Sequence, residues 1–464
     1  MITICEEMLE RYGTYKDVLN TYPPLLTPLE VYESQGSKKL DVLESVTWSV
    51  LAPCINTFTL WVVQQALRKE IKRLYFLARD GYLMYRIAEK LVETFQLPLT
   101  CHYLYCSRYS LRTPLFHLDI DAALDYICRN SIVVNLHVIL KRTGLDKAQQ
   151  NLVLACLDLD LRPDEEIPYA RLKDVREALK KNQVFLQCLE VSSKEMLPNL
   201  MGYLGQAGLL DDVESAIVDS GWTGSTQKSL NQALRQGGRT KDIKGFYWGL
   251  YTIPVGAKAA DYSCYYFSPT KGIEEKISFS NSLFEGVFSA AHGMTIGYGD
   301  AETGYHPFYL SIDDEKKEFQ NKIKQVVLAY TALLIDAFRQ DMDFDCTEAK
   351  KPLYRSLKIF MATPTKAEVV CFGRITFSDD VFEDYAQCIA AELNEKELAA
   401  NGICNKIVTM LGVKKSKIKE SAWHEGSIVR IGKKEKYYLW QYRFYKRLLY
   451  MRTTVMWRLK NGKV

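Results

Sequence analysis

The stretch Ile71–Leu91, IKRLYFLARDGYLMYRIAEKL, changes its apolar period within one line. Leu74–Ala78 is an apolar run of strand length, Arg79-Asp80-Gly81 is a turn, and Tyr82–Leu91 has helical spacing. Downstream, the alternation at Thr100–Cys106 predicts a second strand, closed by Ser107-Arg108. Residues 119–210 carry mostly helical spacing, with turns near Gly144 and Pro163. Ala216–Val218 predicts a third strand that passes through DSGWTGSTQKSLNQAL into a helix, and Ile243–Leu250 a fourth. Strands alternating with helices imply an α/β fold, a Rossmann-like, mainly parallel, doubly wound sheet with many helices. A long helical run covers 313–340, and the chain beyond about 350 has the pattern of a helical C-terminal region. The expected division is a polar lead-in over 1–40, in which Pro23, Pro24 and Pro28 prevent a long helix, an α/β domain over 41–345, and a helical region over 346–464.

The chain has 464 residues, of which 47% are hydrophobic and 25% charged, the balance of a globular protein rather than a disordered, collagenous or disulfide-stapled one. Its net charge of +4 gives no bulk signal for nucleic acid. Twelve cysteines are scattered from Cys5 to Cys404 without a CxxC pair, which points to a reducing cytosol and away from zinc; Cys101 and Cys106 read as buried thiols. The start, MITICEEMLERYG, lacks the layout of a signal peptide. Val46–Leu67 is the most apolar stretch, yet Pro53, Asn56, Gln64 and Gln65 interrupt it, so a buried helix is expected rather than a membrane span. The expectation is a soluble, cytoplasmic chain.

In open parallel sheets, ligands bind beyond the carboxyl ends of the strands. Asp219-Ser220-Gly221-Trp222-Thr223-Gly224-Ser225-Thr226 lies at such an end, directly before a helix. Backbone N–H groups of a Gly/Ser/Thr loop backed by a helix N-terminus cradle phosphate, the hydroxyls add donors, and Asp219 can accept from sugar hydroxyls. No GK[ST] or GxGxxG pattern is present; the plain alternative is a tight turn whose hydroxyls cap the helix. The second such loop is Leu77–Tyr82, where Arg79 suits a phosphate and Asp80 suits Mg²⁺ or a sugar hydroxyl, while Gly81 permits close backbone approach. A surface salt bridge is its bland reading. Arg108, after the next strand, either adds positive charge to the same rim or simply faces solvent.

Glu285 and His292 stand seven residues apart in NSLFEGVFSAAHGMTIGYGD, on one face if the helix continues to His292. Either a general base and a carboxylate beside an oxocarbenium-like centre, or a buried His with a structural Glu, fits that pattern. Three DxD look-alikes, Asp119-Ile120-Asp121, Asp158-Leu159-Asp160 and Asp341-Met342-Asp343, adjoin helical spacing, where acids are common at helix ends.

An apolar strand, an Asp and then Gly-x-Thr opening a helix resembles the phosphoribosyl-diphosphate (PRPP) loop of phosphoribosyltransferases. The loop here has one acidic residue rather than two and is about one residue shorter. LARDGY is similar to the short pyrophosphate-binding turn of those enzymes. A closer resemblance is to a group of bacterial surface-polysaccharide proteins whose sequences, beyond a HAD-type hydrolase module, carry FLARDG, SR, DxGWxGxxQ and Glu…HG in that order. Here these are Phe76–Gly81, Ser107-Arg108, Asp219–Gln227, and Glu285 with His292-Gly293, over roughly residues 40–300. The resemblance implies a glycan phosphoribosyltransferase domain over 41–345 that moves 5-phosphoribose from PRPP to a hydroxyl of a growing, lipid-linked glycan. It implies that Asp219–Thr226 hold the ribose 5-phosphate, with Gln227 also on the substrate, and that Arg79-Asp80-Gly81 and Arg108 face the diphosphate, with Mg²⁺ at Asp80. It also implies Asp80, Glu285 and His292 as catalytic groups and a separate HAD-type phosphatase, since the RDG turn has a single carboxylate. The rivals are a sugar-nucleotide glycosyltransferase, a hydrolase and a non-enzymatic scaffold of polysaccharide assembly.

The tail is asymmetric in charge. Lys433–Lys463 holds ten Lys/Arg against Glu435 alone, interleaved with Tyr437, Tyr438, Trp440, Tyr442, Phe444, Tyr445, Tyr450 and Trp457. A basic aromatic helix suits an anionic membrane surface, so a peripheral membrane position through 433–464 is expected; a packed terminal helix with a solvated basic face is the alternative. Nothing else in the chain supports nucleic acid as a partner.

Overall fold

The computed structural model describes residues 4–36, 40–131, 133–339, 344–378, 380, 382, 385–410 and 421–461. Its centre is a sheet of five parallel strands: β1 (Arg73–Leu77), β2 (Thr100–Leu104), β3 (Ser215–Trp222), β4 (Lys244–Leu250) and β5 (Tyr262–Phe267). The spatial order is β2-β1-β3-β4-β5, so the chain winds outward in both directions from the β1/β3 pair. That pair is the topological switch point, where such sheets open a crevice at their carboxyl ends.

Strand residues alternate between two cores because successive side chains leave opposite faces. Leu74, Phe76, Ala216, Val218, Phe246 and Trp248 enter one core, and Tyr75, Leu77, Ile217 and Tyr247 the other. The first is covered by helices Ala52–Arg68, Gly81–Phe95 and Asp314–Ala337, the second by Gln183–Gln206 and Ser225–Gln236. Each fully buried Leu or Phe contributes on the order of 2 kcal/mol relative to an exposed one. Between β2 and β3 the chain makes a helical lobe with its own core, built from Leu124, Ile127, Ile139, Val153, Val175 and Phe185.

The apolar stretch at 42–68 is a core helix, 94% buried over its most apolar window. Five of its buried polar residues are satisfied within the helix: Thr47, Ser49, Thr57 and Thr59 donate hydroxyls, and Asn56 its amide, to carbonyls four residues back. A π-helical turn at Thr47–Leu51 leads into Pro53, whose ring cannot donate to the helical ladder.

Several expectations are corrected. The lead-in is more helical than a polar lead-in implies: its prolines divide it into Ile4–Leu19 and Thr27–Ser34, which flank a 3₁₀ turn at Pro23–Leu25, with Pro28 in a first helical turn, where its missing N–H costs nothing. The lead-in is also packed. Tyr15 donates to Glu368 at 2.5 Å, Arg11 donates to the Thr363 carbonyl, and one continuous core contains Tyr15, Phe76 and Trp423. The third strand runs on to Trp222, four residues beyond Val218. Strand β5 and an antiparallel hairpin, β6 (Thr295–Ala301) with β7 (Gly304–Tyr309), were not anticipated. The helix bearing Glu285 ends at Phe288, because Ser289 leaves the helical region at ψ 145°, so Glu285 and His292 do not share a helix face.

Of the DxD look-alikes, Asp119 caps the helix Ile120–Ile127 and Asp121 pairs with Arg176 and Lys180. Asp158 and Asp160 are exposed, past the helix Lys147–Cys156, and Asp341-Met342-Asp343 lies outside the described residues. The eleven cysteines from Cys54 to Cys404 are all free thiols.

Candidate active site

A cleft of about 470 Å³ opens at the carboxyl ends of β1 and β3. Arg79, Asp80, Arg108, Asp219, Ser220, Gly221, Trp222, Thr223, Ser225, Thr226 and Glu285 all line it. The two loops singled out in the sequence therefore meet at the switch point, where the Ser220 hydroxyl donates to the Asp80 carboxylate.

The Arg79 turn is held in a costly conformation. Arg79 has φ +71°, a left-handed value that non-glycine residues adopt at a cost of roughly 1 kcal/mol or more. Its N–H donates to the Tyr103 hydroxyl at 2.9 Å, and its carbonyl accepts from Ala290 N–H at 3.1 Å. Tyr103 in turn lies 2.7 Å from His292 Nε2, while His292 Nδ1 lies 2.8 Å from the Gly293 carbonyl. A carbonyl only accepts, so Nδ1 carries the proton and Nε2 accepts from Tyr103. Burial pushes His292 below its ordinary range, in keeping with a neutral ring. His292 does not line the cleft; it holds the Arg79 turn through Tyr103. Gly81 is also beneath the surface, where a Cβ would stand 3.0 Å from the Phe76 backbone.

The β3 end is bent by two successive left-handed residues, Gly221 at φ +115° and Trp222 at φ +74°. A Cβ at Gly221 would lie 2.4 Å from the Gly249 carbonyl, so only glycine fits there. The bend places the Trp222 ring against Phe267, Phe279, Phe284 and Tyr251, and its indole N–H donates to Glu285 at 2.5 Å. Because the strand persists to Trp222, residues 219–222 pair with β4 rather than forming an open cradle. The amides available for an anion belong to the first turn of helix Ser225–Gln236. Gly224, at φ +61°, is its N-cap, and no side chain caps it. The Thr223 hydroxyl donates to Ser225 Oγ at 3.1 Å at the same mouth. Gln227 is away from the cleft: its amide nitrogen donates to the Ile243 and Asp261 carbonyls and its oxygen accepts from Tyr247, pinning the helix to the sheet.

Three recessed carboxyls share this floor. Burial, then repulsion from Asp80 and Glu285, pushes Asp219 up to about 8. Burial and Asp80 push Glu285 up to about 7. Burial raises Asp80 as well, while Arg79, the hydroxyls of Ser220 and Ser289, and Arg108 pull it back. Desolvation combined with like-charge crowding in a cleft is the arrangement used to tune acids and bases.

The opposite wall was not legible in the sequence. Tyr126, Arg129 and Asn130 at a helix end of the lobe, together with Lys316, Ser378 and Asp380, complete the cleft. Arg112 and Arg129 flank the Tyr126 ring at 4.9 and 5.2 Å. The fully buried Arg142 grips Asp380 through two nitrogens, at 2.9 and 2.7 Å, and also donates to the Ile127 and Arg129 carbonyls. The wall is thus electropositive, and Asp380 ties the C-terminal region to the lobe.

Among the described residues no three His, Cys, Asp or Glu side chains gather closely enough to enclose a metal ion. The donors present are carboxylates and hydroxyls, the oxygen set that Mg²⁺ takes, and Mg²⁺ is commonly held by one or two carboxylates plus the phosphates of its ligand. Asp80, facing the cleft beside Ser220, fits that role. Compared with protein-family models and with curated proteins, the chain matches none.

Proposed function

We propose that the chain is a glycan phosphoribosyltransferase, transferring 5-phosphoribose from PRPP to a sugar hydroxyl of a growing bacterial surface glycan. The observation that carries this reading is the meeting of the RDG turn and the DSGW strand end at the switch point, with Ser220 bonded to Asp80. A donor with a phosphate at one end and a diphosphate at the other needs two anion-binding regions and an acidic middle. The first helical turn at Ser225–Thr226 with Thr223 supplies one, and Arg79 with Arg108 the other. Asp219 and Glu285 lie between.

In this mechanism the acceptor oxygen attacks the anomeric carbon as its bond to the diphosphate breaks and the electron pair leaves with the diphosphate. The hydroxyl proton passes to Asp219, whose raised range near 8 suits a base working close to neutrality. Glu285, oriented by the Trp222 indole, stabilises positive charge on the ring in its ionised form. Asp80 would hold Mg²⁺, which when bound would supply neutralisation of the charge on the departing diphosphate. The 5-phosphate would be removed by a separate phosphatase.

The test is diphosphate release from PRPP, followed with and without added surface-glycan acceptor, with the product mass read by mass spectrometry. Acceptor-dependent release and a pentose-phosphate increment support the reading. Transfer from a UDP- or GDP-sugar instead would replace it with a sugar-nucleotide glycosyltransferase. Phosphate or sugar release without acceptor would replace it with a hydrolase.

A further inference from the structure

We propose that the C-terminal helix Glu435–Asn461 docks along an anionic lipid bilayer, with its outward face at the headgroup–acyl boundary. This goes beyond the transfer reaction and stands without it.

The helix has two faces of opposite use. On the inward face, Lys446 donates to the Phe279 carbonyl at 3.0 Å and pairs with Glu425 at 3.1 Å. Four and eight residues on, Tyr450 stacks on Tyr251 with centroids 5.5 Å apart and Thr454 donates to the Pro269 carbonyl at 3.4 Å. These contacts fix the helix against the body of the protein. The outward face carries Tyr437, Trp440, Phe444, Met451, Val455 and Leu459, exposed by 53, 61, 43, 50, 55 and 69%. Their separations of three, four and seven residues make one stripe along the helix. A helix that ends in water places polar residues there, as the outer faces of soluble helices do. Trp440 and Phe444 stack on each other, with centroids 5.8 Å apart.

Charge selects the occupant. Lys433–Lys463 holds ten Lys/Arg against one acid, and on a helical projection Lys436 borders one side of the stripe, with Arg458 in line with Trp440 at that edge, and Arg452 borders the other. An apolar band with basic borders and Trp, Tyr and Phe in the band matches the layering of an anionic bilayer surface, acyl chains below and phosphates above. A second copy of the chain would bring like-charged borders together, and a nucleic acid would leave the apolar centre unsatisfied. The helix is also joined to the site's framework: Lys446 holds Phe279, next to the Ser280 that caps the helix bearing Glu285. Docking therefore ties the cleft to the surface on which lipid-anchored acceptors lie.

The test is flotation of the full chain with vesicles of phosphatidylcholine alone and of phosphatidylcholine mixed with phosphatidylglycerol, at low and high salt. We expect flotation with the anionic vesicles, weakened by salt, and at least about tenfold less partitioning for a Trp440→Ser/Phe444→Ser/Val455→Ser variant. That variant leaves the inward contacts intact and should keep the wild-type thermal transition. A Lys436→Glu/Arg458→Glu variant should lose most of its preference for anionic vesicles. Absence of flotation by the wild type, or wild-type flotation by the folded triple variant, overturns the proposal. A dimer in sedimentation velocity that the triple variant abolishes, without flotation, overturns it in favour of self-association.

Discussion

One wall of the cleft is made of strand ends, Leu77–Asp80 and Asp219–Trp222, held by the ladder of a parallel sheet. The other is made of Tyr126, Arg129, Asn130, Ser378 and Asp380, held by side chains reaching across the fold, chiefly Arg142 to Asp380. Backbone pairing fixes the first wall whatever lies in the cleft, and strain at Arg79 and Trp222 is borne there by that rigid frame. The second wall depends on one buried charge network, so its geometry is expected to be the easier to lose. Asp80 and Asp219 are on the rigid wall together with Arg79, while Arg129 adds positive charge on the adaptable one.

This contrast can be broken most sharply at Asp219. Asp219→Asn should lower transfer by about 10²–10⁴-fold while leaving the thermal transition in place or raising it. A folded Asp219→Asn protein with wild-type turnover would remove the rigid wall from the chemistry. Arg142→Ala should instead act on stability. It leaves Asp380 without its two-nitrogen partner and should cost about 3–5 kcal/mol in denaturant unfolding, as for other broken buried pairs. If Arg142→Ala unfolds like the wild type, the second wall is not held by that network.

The raised carboxyls give a pH test with a definite sign. Asp219 moves from 3.8 to about 8 and Glu285 from 4.5 to about 7, so between pH 4 and 8 the folded state binds more protons than the unfolded. Stability from these groups is therefore complete below about pH 4 and is lost progressively as pH rises from there through 7 to 8. Asp219→Asn should flatten that slope, and a slope of opposite sign in the wild type relative to this variant would refute the crowded-acid description. The smallest effect is expected at Tyr103→Phe. It removes the acceptor of Arg79 N–H and the donor to His292, for about 1 kcal/mol and less than a tenfold loss of activity. A loss as large as that of Asp219→Asn would mean that the Tyr103–His292 pair does more than hold the turn.

The same two walls explain what could be read from the chain alone. The change of period around Arg79-Asp80-Gly81, and the apolar run before Asp219, are local signals, and both loops lie where a parallel sheet requires them. Arg129 and Asp380 could not be paired with them, because residues some 250 positions apart are brought into an ion pair at 3.6 Å, beside the buried Arg142, only by the folded chain. Glu285 and His292 were misplaced relative to each other because Ser289 ends the helix with no Gly or Pro to announce it. The continuation of β3 through Gly221 was hidden for a related reason: glycine reads as a loop residue, whereas here it allows a bent strand to pass the Gly249 carbonyl. The aromatic run Tyr262–Phe267 has the composition of a strand, which the structure makes β5.

The most direct test of the central claim is titration calorimetry of PRPP with Mg²⁺ into the wild type and Asp219→Asn, beside ribose 5-phosphate, UDP-sugars and GDP-sugars. The account predicts saturable PRPP binding that is tighter than that of ribose 5-phosphate and altered in its pH dependence by Asp219→Asn. Binding of a sugar nucleotide in preference to PRPP, or no binding of PRPP by the folded wild type, would contradict it.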